Sequence, residues 1–147
     1  EKMPAQDIYS LQVLGLVNDE RVRSGLKALD GLGMDWKSPG YGNPVYQWHF
    51  ITQAAFHAGG DVWTAWNRSF APALVTNQTV EAAADGKSSG FWVSPGKQER
   101  YGRVYSTALC CMMLENYYAY LPFSRPVEVG VQQPEADPVD VRVEVRE

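Results

Sequence analysis

Apolar positions fall into two patterns along this chain. From Ile8 to Val17, from Val45 to Ala58 and from Val104 to Tyr120, apolar and aromatic residues occupy nearly every side of a helical wheel. From Asp19 to Leu29 and from Val62 to about Gln78 they recur every three or four residues. Val22, Leu26 and Leu29 form the first stripe; Trp63, Trp66, Phe70 and Leu74 form the second. A single stripe is the mark of a helix with one wet face, whereas an all-round apolar helix needs cover on most sides. The punctuation agrees. Asp7 is a candidate cap for the first helix, and Gly31 and Gly33 end the second. Asn43-Pro44 opens the third, and Gly59-Gly60 followed by Asp61 separates the third from the fourth.

Alternation of the two helix types predicts two layers, with each one-sided helix cladding an all-round one. The order of parts also repeats. Trp36-Lys37-Ser38-Pro39-Gly40 matches Trp92-Val93-Ser94-Pro95-Gly96, and Val45-Tyr46 matches Val104-Tyr105. The Trp residues stand 56 positions apart and the Tyr residues 59, a spacing that suits helical hairpin repeats. Thr76 to Ser89 is expected to be a polar, flexible connection. After Pro122 the period changes to two: Val127, Val129 and Val131, then Val139, Val141, Val143 and Val145, alternate with polar residues or Gly. That predicts two short strands. The expected organisation is a helical domain over 1–122 and an extended tail over 123–147.

Gln78 followed after a loop by Gly90-Phe91-Trp92 resembles the Gln-x-Trp repeat of squalene-hopene cyclases and their relatives. Val104 to Leu109 and Tyr117 to Pro122 resemble the last repeat of bacterial proteins with prenyltransferase and squalene-oxidase repeats. Thr52-Gln53-Ala54, Gly59-Gly60 and Trp63-x-x-Trp66-Asn67 fit the same group. The resemblance covers about residues 5 to 122. It implies an all-α fold of α/α-toroid type, with inner and outer helices around an apolar cavity, of which this chain would form part of the ring. It also implies that Gln78, Gly90 and Trp92, with Trp36 in the preceding unit, tie the end of an outer helix to the start of the next inner one. The chain begins at Glu1 without a visible leader, so a processed protein or an excised fragment is expected.

Composition narrows the function. The net charge is −4 with no Lys/Arg cluster, which argues against nucleic acid. An aromatic content of 12% fits a thick core or a greasy cavity. No apolar run is long enough for a membrane span. Cys110 and Cys111 are neighbours and cannot form an ordinary disulfide with each other, so both are expected to be buried thiols.

The chemistry expected of the resembling enzymes is missing at the matching positions. No Asp-x-Asp-Asp acid motif occurs, and neither the Cys, the Asp nor the His of a prenyltransferase zinc site stands at Asn43 to Tyr46 or at Ser106. No metal or cofactor is expected. His49 and His57 are eight residues apart on one helix, about 12 Å of rise, too far to share an ion. Each is either a pocket acid or base or, more simply, a hydrogen-bonded structural His. Glu115 interrupts an apolar helix, so it is either a buried proton donor or the partner of Arg103 or Arg100. Tyr46, Trp48, His49, Phe50, Tyr105 and Glu115 are the inner-face candidates for a ligand site, with the two Tyr rings able to face a cation. Two functions follow. The first is a domain without its own catalytic motif that holds an apolar, isoprenoid-like molecule or a protein segment on an aromatic inner face. The second is the C-terminal part of a class II terpene cyclase-like enzyme with its acid motif upstream. Self-association, or pairing with a missing half-ring, is expected of the exposed flanks of such an open arrangement.

Overall fold

The computed structural model of the protein describes residues 3–39, 42–82, 84–95 and 102–118. Five helices and one two-stranded sheet follow in the order α1 (Ala5–Val13), α2 (Glu20–Ala28), α3 (Pro44–Ala58), α4 (Gly60–Thr76), β1 (Thr79–Ala82), β2 (Ser88–Phe91) and α5 (Gly102–Glu115). The architecture is therefore mostly helical with a small β-hairpin, rather than helical throughout.

Helix ends follow local chemistry. Asp19 caps α2 by accepting the Arg21 N–H at 2.8 Å, and Asn43 caps α3 by accepting the Tyr46 N–H at 3.2 Å. Pro44 occupies the first turn of α3, where no intrahelical donor is lost. Gly59 sits between α3 and α4 at φ +66°, a left-handed conformation that side chains resist, so the chain reverses there within one residue. Two caps differ from expectation. Pro4, not Asp7, precedes α1, and Asp61 lies inside the first turn of α4 rather than before it.

The central element is α3. It packs against α1 on one side, α5 on another and α4 on a third; α2 lies mainly on α1 and touches α3 more lightly. The main core is built where α3, α4 and α5 meet: Val45, Trp48 and Ala55 against Trp66, Phe70 and Leu74, closed by Trp92, Cys110 and Met113. A second, smaller core of Ile8, Val22 and Ala54 joins α1, α2 and α3. The stripe of α4 faces inward as its period requires, with Trp66, Phe70 and Leu74 buried and Trp63 half-buried. Trp66 also carries a polar edge into the core, and its indole donates to Thr52 Oγ1 at 2.9 Å. Thr52 in turn donates to the Trp48 carbonyl at 2.7 Å, so no polar atom of that trio is stranded.

Three expectations are corrected. Thr76 to Ser89 is not a featureless connection: Thr79 pairs with Phe91 and Ala82 with Ser88 in an antiparallel hairpin. The outer helix α4 stops at Thr76 because Pro72 already weakens its last turns and Asn77 takes over the Ala73 carbonyl through its backbone and side-chain N–H groups. Third, neither α1 nor α5 is covered all round. Along α5, Ser106, Cys110 and Met113 are buried, but Val104 is 81% exposed and Ala108, Cys111 and Met112 also meet solvent. Among the described residues α5 has α3 and the hairpin strand β2 as neighbours, and Val104 and Ala108 border an open groove beside Gly90 and Phe91. In α1, Ile8 and Gln12 are buried while Val13 and Leu14 are exposed. The expected run of α5 to Tyr120 passes beyond the described residues, as do the two Val-rich strands and the tail over 123–147; the helix itself closes at Glu115.

Candidate functional site

The inner-face candidates do not share one surface. Helical spacing puts Tyr46, Phe50 and His57 on one side of α3, His49 and Gln53 beside them, and Trp48 on the side facing α4. Trp48 is buried in the main core with Trp36 tilted against it at 5.1 Å. It is a packing residue. Tyr46 is 38% exposed and meets Phe50 edge-on at 4.9 Å; Phe50 is half-buried, with Tyr9 at 6.1 Å. Tyr105 is half-buried on α5.

His49 and His57 are both buried, and their environment is apolar. Phe50 stands 5.1 Å from the His49 ring, and Tyr9 stands 5.3 Å from that of His57. Burial drives the His49 imidazole down to about 4 and lowers that of His57 as well, so both are neutral at pH 7. The expected hydrogen-bonded structural histidine is not what is found. His49 Nδ1 and both ring nitrogens of His57 lack a partner, as do Gln53 Oε1 and Gln12 Oε1. His49, Gln53 and His57, at steps of four, thus form a buried polar line along α3.

Glu115 is exposed at the end of α5, so neither the buried proton donor nor the ion pair with Arg103 holds. Arg103 instead approaches Glu81 of the hairpin at 3.8 Å and lies over the Phe91 ring at 5.0 Å. Arg100 lies outside the described residues. The two cysteines also differ from expectation. Cys110 is buried and its thiol is pushed up to about 12, by burial first and then by the neighbouring Cys111, whereas Cys111 is exposed. Successive side chains on a helix diverge by about 100°, which sends one into the core and the other to solvent.

The residues expected to tie one unit to the next make three separate sets of contacts. Trp92 is buried; its indole donates to the Leu74 carbonyl in the last turn of α4 at 2.8 Å, and its backbone N–H donates to Thr107 Oγ1 of α5 at 3.1 Å. One residue thereby joins the end of α4 to the start of α5. Gln78 packs over Gly90, where an added Cβ would fall 2.6 Å from Gln78 Nε2. Trp36 makes a different connection, through its ring to Trp48, while the Met34 N–H on the same loop donates to Ser69 Oγ of α4 at 3.3 Å. Thr52 and Thr107 stand out in the sequence only as members of the family-like stretches, not as acceptors, and Ser69 does not stand out at all. The available signal was that buried Trp and loop N–H groups need acceptors.

Two apolar grooves flank α2. One, of about 460 Å³, lies between the start of α1, the end of α2 and the first half of α3; Tyr46 and Phe50 line it with Met3 and Leu29. The other, of about 470 Å³, lies between α2 and α4 over Ile51, Ala55, Val62 and Trp66. Leu29, Leu32 and Ile51 line both. The grooves therefore adjoin at the C-terminal end of α2 as a two-part furrow with Leu29, Leu32 and Ile51 at the junction. Arg23, Lys27, Asp30 and Asp61 stand at the second groove, two of each sign.

Among the described residues, no three His, Cys, Asp or Glu side chains gather in a way that could hold a metal ion. No helix among them is long and apolar enough to cross a membrane. The chain matches no family model, no curated protein and no solved structure. Fold and grooves together define a mostly helical protein with a small hairpin and an apolar furrow beside its second helix.

Proposed function

We propose that the protein is a helical repeat domain of α/α-toroid type, similar to squalene-cyclase and prenyltransferase repeats, that binds an apolar, isoprenoid-like molecule. The furrow carries this reading: its floor is aliphatic and aromatic, and its charged rim residues, Arg23 and Lys27 against Asp30 and Asp61, balance. An extended hydrocarbon gains from such a floor, at about 25 cal/mol for each Å² removed from water, and meets no concentrated charge that would select an anionic head. The ring geometry is supported by α1, α3 and α5 packing in series, by α2 and α4 lying against α1 and α3, and by the Trp92 tie between α4 and α5. Within this reading Tyr46 and Phe50 contact the ligand, and Trp48 and His49 shape the helix behind them.

Trp66 lines the furrow and serves as a reporter. Titration with squalene or farnesol should give a saturable shift in Trp emission, and Leu32→Arg, an exposed position that borders both grooves, should abolish it while the thermal melt is retained. Absence of a shift at saturating ligand, or an unchanged shift in Leu32→Arg, would refute the proposal.

A further inference from the structure

We infer that α5 is the contact helix of a two-fold dimer, with a second copy of this chain packing antiparallel across its exposed face. Val104, Ala108, Cys111 and Glu115 fall at steps of four, three and four, so they lie along one line of α5. That line is opposite the buried Ser106, Cys110 and Met113, and each of its residues is exposed. Val104 and Met112, 81% and 43% exposed, add large apolar area to a helix that should be polar there if water were its permanent neighbour.

The charges along this face choose the occupant. Its one carboxylate, Glu115, stands in the last turn, where the negative end of the helix dipole is unfavourable to it; it makes no ion pair among the described residues. The first turn of α5 has no acidic residue and carries Arg103, which is 62% exposed, lies over Phe91 and is only loosely held by the exposed Glu81 at 3.8 Å, so it can take a second carboxylate. An antiparallel second copy corrects both ends at once. With Ala108 opposite the partner's Cys111, the two-fold puts Glu115 of each chain beside the N-terminal turn and Arg103 of the other. There a carboxylate meets positive potential. Ala108 and Cys111 at the crossing are small and let the helices approach closely, and the same patch serves both chains, as an isologous contact requires.

The test uses the full chain in light scattering and analytical ultracentrifugation across micromolar concentrations. The expected result is the mass of two chains, with a folded monomer produced by Ala108→Arg that keeps its helical circular dichroism and whose melting temperature no longer depends on chain concentration. Glu115→Lys should weaken the dimer about tenfold, and mixing it with Arg103→Glu should restore pairing. A short bis-maleimide should link two chains through Cys111 in Cys110→Ser but not in Cys111→Ser. A single-chain mass at every concentration overturns the inference. So does a dimer indifferent to Ala108→Arg and Glu115→Lys, which would place the contact elsewhere. An Ala108→Arg chain that loses its helical circular dichroism in dilute solution, where the parent chain is also monomeric, overturns it as well, because the face would then be covered by the chain's own residues.

Discussion

Replacement of Trp92 by Phe isolates the tie between α4 and α5. The phenyl ring retains most of the apolar contact with Leu74 and the main core but cannot donate a hydrogen bond. The Leu74 carbonyl, which accepts the indole N–H at 2.8 Å in a buried setting, is one of the four end carbonyls of α4 that have no intrahelical donor. Leaving such a group buried and unpaired costs about 1–3 kcal/mol. The smaller ring adds about 1 kcal/mol for the space it vacates. A total of about 2–4 kcal/mol is expected, a large share of the stability of an ordinary domain. If Trp92 were only filler, the loss would be near 1 kcal/mol. Urea unfolding followed by far-ultraviolet circular dichroism separates the cases, provided the dependence on denaturant keeps its slope and the midpoint alone moves. Thr107→Val removes the acceptor of the Trp92 backbone N–H at 3.1 Å, so the double variant should lose less than the two single losses added together. A loss of about 1 kcal/mol or less in Trp92→Phe, or strict additivity with Thr107→Val, would refute the view that one residue joins the two helices.

The buried histidines make stability fall with acid. His49 is held at about 4 against 6.5 when unfolded, so the unfolded chain takes up a proton first; stability is complete above about pH 6.5 and declines toward pH 4, by about 2 kcal/mol at pH 5 from His49 alone. Urea midpoints at pH 7 and pH 5 measure this, and His49→Gln should flatten the difference. Gly90→Ala should change stability by no more than about 0.5 kcal/mol, because the Gln78 amide 2.6 Å from its Cβ is the free end of an exposed side chain that can swing away, as read by thermal melts. Gly25→Ala brings a Cβ to 2.7 Å from Ile8 Cδ1 and Cγ1 in the smaller core, so it should destabilise by about 1–3 kcal/mol, with partial relief from Ile8→Val. An unaltered denaturation midpoint in Gly25→Ala would show that α1 and α2 do not approach as closely as they do here.

Much of the helical framework was written in local chemistry. Asn43, Pro44, Asp19 and the paired glycines at 59 and 60 set helix ends because capping and left-handed backbone are satisfied by neighbours in sequence. The stripe of α4 survived folding because a period of three to four residues has only one side on which to hide. Gln78, Gly90 and Trp92 were visible as a motif, though the acceptors that Trp92 uses, the Leu74 carbonyl and Thr107 Oγ1, were not. Acceptors are chosen by which chain segments lie nearby, and that is a property of the fold.

What tertiary structure alone decided is which sides of the apolar helices are covered. A helix apolar on all sides announces that it can be buried, not how many neighbours it will have; α3 has three close ones, while α5 keeps Val104, Cys111 and Met112 in contact with water. The same limit applies to the site. Trp48 and Tyr46 are two residues apart, but one closes a core and the other opens onto a groove, because a step of two turns the helix by about 200°. Glu115 reads as anomalous inside an apolar run and turns out to be exposed, since burial depends on a neighbour that only the packing supplies. Sequence therefore determined the helices and their local ends; the arrangement of helices determined the furrow, the unsatisfied polar line of His49, Gln53 and His57, and the face left open on α5.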